Sequence, residues 1–398
     1  MTKRFDFAVV GRGLMGSAAA RHLSDQGLRV AIIGPDEPAD RQVHNGPFAS
    51  HHDAGRVTRH LSPEADWSRL AARSIARYAE IEVASGIKFY TPCGAIVTGG
   101  SEGPGGDYAD RFYAVAEELD LPHERLSGPA LADRFPYLSF VEGTRTAYEE
   151  NGGGYINPRL LRDAQTRAAE VQGAVVYRDH VTDVSIGPGP LDIRCAGGAT
   201  VSADQVIMAT GAYAKTNGLL PRRPTMTVYA RTIAFSEVNA AEREMLAGMP
   251  TAIIFSQSLG YTLYVMPPIQ YPDGKWYVKI GGEDDGPTLS TDAEMTAWFR
   301  TPGNPQVGAQ LLDHLRGFLP GLRMQTTHTD SCAITHTATD YPYIARISDR
   351  MTLLTGGNGA SAKSSDELGR LGALIAQGQT LDGQGYDRDF HAVFDAPA

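Results

Sequence analysis

A strand, a glycine turn and a helix open this chain, and together they leave it few folds to adopt. Phe7-Ala8-Val9-Val10 is a short apolar run followed by Gly11-Arg12-Gly13-Leu14-Met15-Gly16. Ser17 to Gln26 comes next, and its Ala18, Ala19 and Ala20 favour a helix that Gly27 is placed to stop. Val30-Ala31-Ile32-Ile33 supplies a second strand. A continuous apolar strand without alternation suits a parallel strand covered on both faces. The unit is therefore βαβ, with the glycine spacing of a dinucleotide-binding turn. Gly11 permits the tight turn, Gly13 lets backbone approach a pyrophosphate, and Gly16 lets the helix pack closely on the strand. Leu14 and Met15 open the helix, whose free N–H groups face the phosphates. The second strand of such a unit normally ends in an acid that holds the adenosine ribose. Gly34 stands there, in Ile33-Gly34-Pro35-Asp36-Glu37, which leaves the ribose to Asp36, to Glu37 or to no side chain. The turn by itself does not choose between FAD and NAD.

A chain of 398 residues is too long for one ordinary core, so two domains are expected. Ala65 to Ser85 has helical periodicity, Lys88 to Val97 reads as a strand pair, and a glycine-rich loop runs from Gly99 to Gly106. Asn157 to Val171 is helical, Val206-Ile207-Met208-Ala209 is a buried strand, and residues from about Pro224 to Ile280 are strand-like. Met351 to Thr355 is a strand, followed by a glycine loop and a helix from Glu367 to Ala376. The expected architecture is α/β with an α+β second domain. A Rossmann-like domain (1-90, 151-222 and 330-398) interleaves with a strand-rich antiparallel-sheet domain (91-150 and 223-329).

The formal net charge of −10 repels phosphate backbones and anionic lipid, which argues against nucleic-acid and membrane partners. No apolar run is long enough to span a bilayer, and the short one at the start, broken by Asp6, reads as a strand and not as a targeting segment. Cys93, Cys195 and Cys332 are too few for a disulfide scaffold, which fits a reducing cytoplasm. No metal site is expected.

Five further stretches carry chemistry: Ser50-His51-His52-Asp53-Ala54-Gly55-Arg56-Val57-Thr58-Arg59-His60, Ala209-Thr210-Gly211-Ala212-Tyr213, Trp276-Tyr277-Val278-Lys279-Ile280-Gly281-Gly282, Asp330-Ser331-Cys332-Ala333-Ile334-Thr335-His336-Thr337, and the run from Thr355 to Ser365. Taken singly, most have an ordinary explanation. Two arginines spaced by three describe a solvated basic loop, and most free cysteines are small buried apolar residues. A lysine in an apolar strand is costly to bury unless paired or functional, but it also snorkels to water. Together and in register, the five stretches resemble the sarcosine oxidase family of flavoproteins, whose relatives include N-methyltryptophan oxidase and pipecolate oxidase.

The resemblance implies FAD as the cofactor, attached as a thioether through Cys332. It places His52 and Arg56 against the flavin ring, Gly211 near the dinucleotide, and the backbone of Val181 at the adenine. Gly357 and Gly359 belong to a loop that brings the last helix towards the flavin pyrimidine. Arg59 and Lys363 would hold a substrate carboxylate, for which the guanidinium offers a planar fork. Lys279 would assist the reaction with oxygen by stabilising negative charge that develops there. Tyr264 matches a pocket tyrosine, whereas the pocket histidines of the family correspond to Glu283 and Ala360, and a tyrosine common in the family is Ile334 here. Glu283 would attract a second cationic group, so sarcosine is not the expected substrate.

The expected activity is oxidation of a secondary, N-alkyl amino acid to an imine. Hydrolysis then gives an aldehyde or keto acid plus an amine, and O2 becomes H2O2. A related dehydrogenase would instead pass electrons to a quinone or carrier protein. A flavin- or nucleotide-binding module without chemistry would show no bleaching by any amine. The chain is expected to act as a monomer or small homo-oligomer.

Overall fold

A computed structural model describes residues 4–396 other than 104, 186, 217 and 283–285. In chain order it forms β1 (Arg4–Val10), α1 (Leu14–Ser24), β2 (Val30–Ile33), β3 (Arg56–Thr58), α2 (Ala65–Ala76), α3 (Tyr78–Ser85), β4 (Tyr90–Thr91), β5 (Ala95–Gly99), α4 (Tyr108–Glu118), β6 (Glu124–Ser127), α5 (Gly128–Arg134), β7 (Arg145–Glu149), β8 (Gly154–Ile156) and α6 (Pro158–Val171). Then follow β9 (Val175–Tyr177), β10 (Val181–Ser185), β11 (Leu191–Cys195), β12 (Thr200–Met208), β13 (Met226–Glu237), α7 (Ala240–Met245), β14 (Thr251–Ser256), β15 (Tyr261–Gln270) and β16 (Trp276–Gly282). The chain ends with α8 (Asp292–Phe299), α9 (Pro305–Phe318), β17 (Thr327–Thr337), β18 (Tyr343–Ser348), β19 (Met351–Thr355) and α10 (Ser365–Ala376).

The first sheet has a parallel centre, β9-β2-β1-β12-β19, with β18 antiparallel at one side and the β10–β11 hairpin laid on the start of β12. Val9, Ile32 and Ile207 pack on one face with Leu23, Leu368 and Leu371, while Val10, Ile33, Val206 and Met208 fill the other. Both faces are dry, which is why these strands read as unbroken apolar runs. Helices α1 and α10 cross at very short range: a Cβ on Gly369 would lie 2.5 Å from Ala18 Cβ and 2.6 Å from Ala19 N. Gly27, at φ +76°, ends α1 as the sequence predicts.

The first turn of α10 holds two buried carboxylates. Asp366 accepts from Arg21 (2.8 Å), Arg77 (2.5 Å) and Gln165 (2.8 Å), and Glu367 accepts from Arg77 (2.6 Å) and Tyr386 (2.8 Å). Both acids complement the helix N-terminus. Burial alone would raise the carboxyl of Asp366, but His22, Arg21 and Arg77 hold it well below the ordinary range. A carboxyl depressed in the folded state stabilises above its unfolded value, and that stabilisation is lost as pH falls through the folded one. Asp366→Asn, which takes the buried carboxylate from Arg21 and leaves Arg77 with Glu367 alone, is expected to cost about 3–5 kcal/mol in urea unfolding at pH 7. The deficit should shrink in acid, and a loss under 1 kcal/mol at pH 7 would sink this account.

The second sheet runs β17-β13-β16-β15-β14-β5-β7-β6, antiparallel except for β14 with β5. Val278 and Ile280 of β16 enter a core with Leu311 and Leu315 of α9, so Lys279 and Gly281 face the opposite side. A three-stranded sheet, β3-β8-β4, lies apart from both.

Three expectations change in detail. The strands between Lys88 and Val97 do not pair with each other: β4 joins β8 and β5 joins β14 and β7, because the Pro92-Cys93-Gly94 turn, with Gly94 at φ +79°, sends them to different sheets. The helical stretch from Ala65 to Ser85 is two helices broken at Arg77, a single-residue interruption that periodicity does not register. The domain boundary drawn at residue 330 falls inside β17, whose whole length pairs with β13. Among the described residues no helix is long and apolar enough to cross a membrane.

Candidate active site

Because β1, β2, β12 and β19 are parallel, their C-terminal ends meet at one edge of the sheet, the place where such folds bind ligands. A Cβ on Gly11, at φ +109°, would lie 2.2 Å from Ala209 O, and one on Gly16 would lie 1.9 Å from Gly11 O. Neither position admits a side chain. Gly13 differs, since a Cβ there meets nothing within 4 Å. It caps α1 with no side-chain hydrogen bond, so the N–H groups of the Leu14–Met15 turn face open space. That cradle fits a pyrophosphate.

Gly34 cannot carry the expected acid, because its Cβ would lie 2.6 Å from both Cβ and N of Arg12. Arg12 covers the end of β2, donates to the Gly34 and Pro35 carbonyls (3.2 Å each) and pairs with Asp36. Asp36 also lies 3.4 Å from Arg178. Its carboxylate therefore already has arginine partners. Val181 begins β10 and shares a hydrophobic cluster with Tyr177, whose carbonyl accepts from Gly34 N at 3.0 Å.

Several buried polar atoms along this edge have no partner in the protein: His51 Nε2, Arg159 Nη1, Thr210 Oγ1 and Ser364 Oγ. Buried polar groups are rarely left so, and a polar cofactor lying along the edge would satisfy them. His52 packs edge-on against His51, and burial pushes its imidazole down to about 4, so it is neutral. Gly211, at φ +58°, accepts from Thr355 Oγ1 at 2.9 Å. Gly357 N donates to Thr335 Oγ1 (2.8 Å) and Asn358 N to Thr335 O (2.8 Å), which ties the loop through Gly359 to β17 three residues beyond Cys332. These residues fit FAD.

The second sheet brings Lys279, Tyr264 and Cys332 to the same region. Lys279 is fully buried, and its Nζ donates to Asp53 Oδ2 (2.7 Å) and Gly55 O (2.5 Å), with the Tyr264 ring 5.4 Å away. Snorkelling is therefore excluded. Gly281 makes room for that ring: a Cβ there would lie 2.5 Å from the Tyr264 hydroxyl. Arg56 pairs with the same oxygen of Asp53, donates to Ser50 O (3.0 Å) and reaches to 3.9 Å from Cys332 Sγ. Trp298 Nε1 donates to Cys332 O at 2.7 Å. Burial lowers Lys279 to about 8 and Asp53 opposes the fall. Burial would raise Asp53, but Arg56 and then Lys279 hold its carboxyl well below the ordinary range.

Arg59 and Lys363 form a second group. Lys363 is 4% exposed, donates to Ala360 O (3.1 Å) and lies 5.5 Å over the Trp67 ring. Arg59 donates to Leu61 O, lies 5.5 Å over the Phe112 ring, and leaves its buried Nε without a partner. Burial and then Arg59 push Lys363 well below the ordinary lysine range. Among the described residues neither cation has an ion-pair partner, in contrast to Arg56 and Lys279. Tyr264 packs with Leu61 and Phe112, so it joins the two groups. Glu149 braces the chain beside Arg59, accepting from His60 N (2.9 Å) and Leu61 N (3.0 Å). Glu283 lies outside the described residues.

Asp53, Tyr271, Glu149 and Arg12 do not stand out from sequence. Asp53 alone left a signal, as the carboxylate three residues before Arg56 in an otherwise basic stretch.

A family model described as FAD dependent oxidoreductase (DAO) matches residues 6–374. Monomeric sarcosine oxidase from Bacillus sp. (strain B-0618) is 26% identical over 399 residues, covering 96% of this chain and 94% of the relative. N-methyl-L-tryptophan oxidase from Yersinia pestis (strain Pestoides F) is 24% identical, covering 94% and 95%. Among solved structures, NikD in its open form, described as an unusual amino acid oxidase essential for nikkomycin biosynthesis, aligns with a TM-score of 0.76 at 19% identity, over 100% of this chain and 99% of that one.

Proposed function

This chain belongs to the DAO family of FAD-dependent oxidoreductases, and from that membership we propose that it oxidises the C–N bond of a secondary amine that carries a carboxylate, with O2 as electron acceptor. The observation that carries the reading is the pair of cations, buried Lys363 and half-buried Arg59, neither in an ion pair among the described residues, with the buried carboxylate of Glu149 engaged instead by the chain at His60 and Leu61. Unpaired buried charge is costly, and a substrate carboxylate removes that cost while fixing the α C–H in place. FAD, when bound, supplies the hydride acceptor and returns to its oxidised form with O2, giving H2O2.

The other residues then have defined tasks. Arg59 offers two parallel donors to the carboxylate and Lys363 a third. Tyr264 and the Phe112 cluster exclude water beside the reacting carbon. Lys279 and Arg56 supply positive charge where O2 is reduced. Asp36, with Arg12, closes the adenosine end, and Val181 offers its backbone there. Cys332 carries the flavin as a thioether, with Arg56 3.9 Å from its sulfur.

The names of two relatives, monomeric sarcosine oxidase and N-methyl-L-tryptophan oxidase, support this substrate class, and a panel of N-alkyl amino acids tests it. Anaerobic bleaching of the bound flavin by such acids, followed by peroxide on admitting air, is the expected result. No bleaching by any of them would overturn the reading. Reduction followed by slow reoxidation in air and rapid reoxidation by a quinone would assign a dehydrogenase. For Cys332, acid precipitation should leave the yellow colour in the pellet, and Cys332→Ser should release it to the supernatant. Colour in the supernatant of the parent protein would remove the thioether from this account.

A further inference from the structure

The carboxylate of Asp53 is shared in a way that the proposed roles of its neighbours do not explain. Oδ2 binds both Lys279 Nζ (2.7 Å) and Arg56 Nη1, while Oδ1 accepts from Tyr271 OH (2.8 Å) and Ala54 N (2.7 Å). Asp53 is 5% exposed and Lys279 is fully buried, so solvent does not screen the pair. One negative charge serves two cations, and the trio carries a net charge of about +1. The partners come from four places: the loop before β3, β3 itself, the β15–β16 hairpin and β16.

We propose that Asp53 is a positioning residue for Lys279 and Arg56, clamping the two cations side by side and thereby setting the positive charge available where oxygen is reduced. The inference rests on the flavin oxidase reading above. Without Asp53 the two cations would share a dry space with no counter-ion, and the one able to lose its proton is lysine, since arginine keeps its own. Every charged or titratable group facing Lys279 enters this balance: Asp53 favours its charged form, Arg56 opposes it, Cys332 adds no charge once its sulfur is a thioether, and Tyr264 and Tyr271 stay protonated because burial raises both. Burial already lowers Lys279 to about 8, so losing the carboxylate discharges it in the neutral range.

The holoprotein tests this in two ways. The visible spectrum of the substrate-free enzyme, recorded against pH, should show a transition near pH 8 that Lys279→Met abolishes. Asp53→Asn should move that transition to lower pH by about one unit or more. In the same variant the second-order rate with O2 should fall about ten-fold or more at pH values between its own transition and that of the parent, with little change below both, while anaerobic reduction by substrate stays within a few-fold. Asp53→Glu should restore part of both. If Asp53→Asn does not fold, Tyr271→Phe carries the test, because a carboxylate with one donor fewer holds the lysine proton more tightly and the transition should move to higher pH. An unmoved transition in Asp53→Asn, an acid shift or none in Tyr271→Phe, or a parent protein with bound flavin and no Lys279-dependent transition overturns the proposal. A protein that takes up no flavin overturns the oxidase reading, and this inference falls with it.

Discussion

Arg59→Met is expected to lower kcat/KM for an N-alkyl amino acid by about 10²–10³-fold, while leaving the rate with the matching amine that lacks the carboxylate almost unchanged. In the parent protein the half-buried guanidinium lies over Phe112 with its buried Nε unpartnered and no ion pair among the described residues. One bond to Leu61 O leaves its Nε free to bind. A carboxylate arriving there gains a charge-assisted bond in a dry setting, where it is worth more than in water. Methionine keeps the apolar stem and removes only the fork. Lys363→Met should have a comparable effect, and the double variant should lose less than the sum of the two because both act on one anion. Anaerobic flavin reduction by the acid and by the carboxylate-free amine separates the cases. Equal losses on both substrates would show that Arg59 supports the pocket and does not read the carboxylate.

The same pair predicts a pH dependence with two opposing limbs. Burial and Arg59 together lower the proton affinity of Lys363 well below that of a free lysine. A bound carboxylate restores it, so binding takes up a proton and weakens as pH rises, by up to about ten-fold per unit. A simple carboxylate inhibitor should show this slope, and Lys363→Met should abolish it. The amine must be neutral to react, so the reduction step rises with pH. A bell-shaped kcat/KM profile is the expected sum, and a flat one across neutral to alkaline pH would contradict both limbs.

How far the sequence carries depends on whether a feature is local. The strand, glycine turn and helix from Phe7 to Gln26 were legible because their constraints act within a few residues: Gly11, Gly13 and Gly16 are read by spacing, and the structure shows why two of them cannot carry a side chain. The dry parallel strands were legible as unbroken apolar runs. Arg12 was not, because its effect is to fill the space at Gly34, twenty-two positions away. Asp53 and Lys279 are 226 residues apart and meet only when β16 is laid beside the loop before β3. Lys279 in an apolar strand read equally well as snorkelling or as functional, and only its burial decides. The unpaired state of Arg59 and Lys363 is invisible in a sequence in principle, since it depends on which carboxylates fail to arrive.

Lys279→Met separates the two halves of the catalytic cycle. Reduction of the enzyme by substrate should stay within about three-fold, because the carboxylate-binding pair Arg59 and Lys363 is a different group of residues. Reaction of the reduced enzyme with O2 should slow by about 10²–10³-fold, the usual effect of removing one preorganised donor from a site where charge develops. Methionine fills a similar volume in β16, so the packing around Tyr264 and Met266 has little reason to change. Asp53 keeps Arg56 and Tyr271 as partners, so no naked carboxylate is left behind. Stopped-flow mixing of anaerobically reduced enzyme with oxygenated buffer measures the step directly. If Lys279→Met reoxidises as fast as the parent, then the buried lysine serves only the ion pair with Asp53, and the positive charge for oxygen must come from Arg56. If both react slowly with O2 and rapidly with a quinone, the lysine belongs to a dehydrogenase, and its charge steadies the reduced cofactor instead of opening it to oxygen.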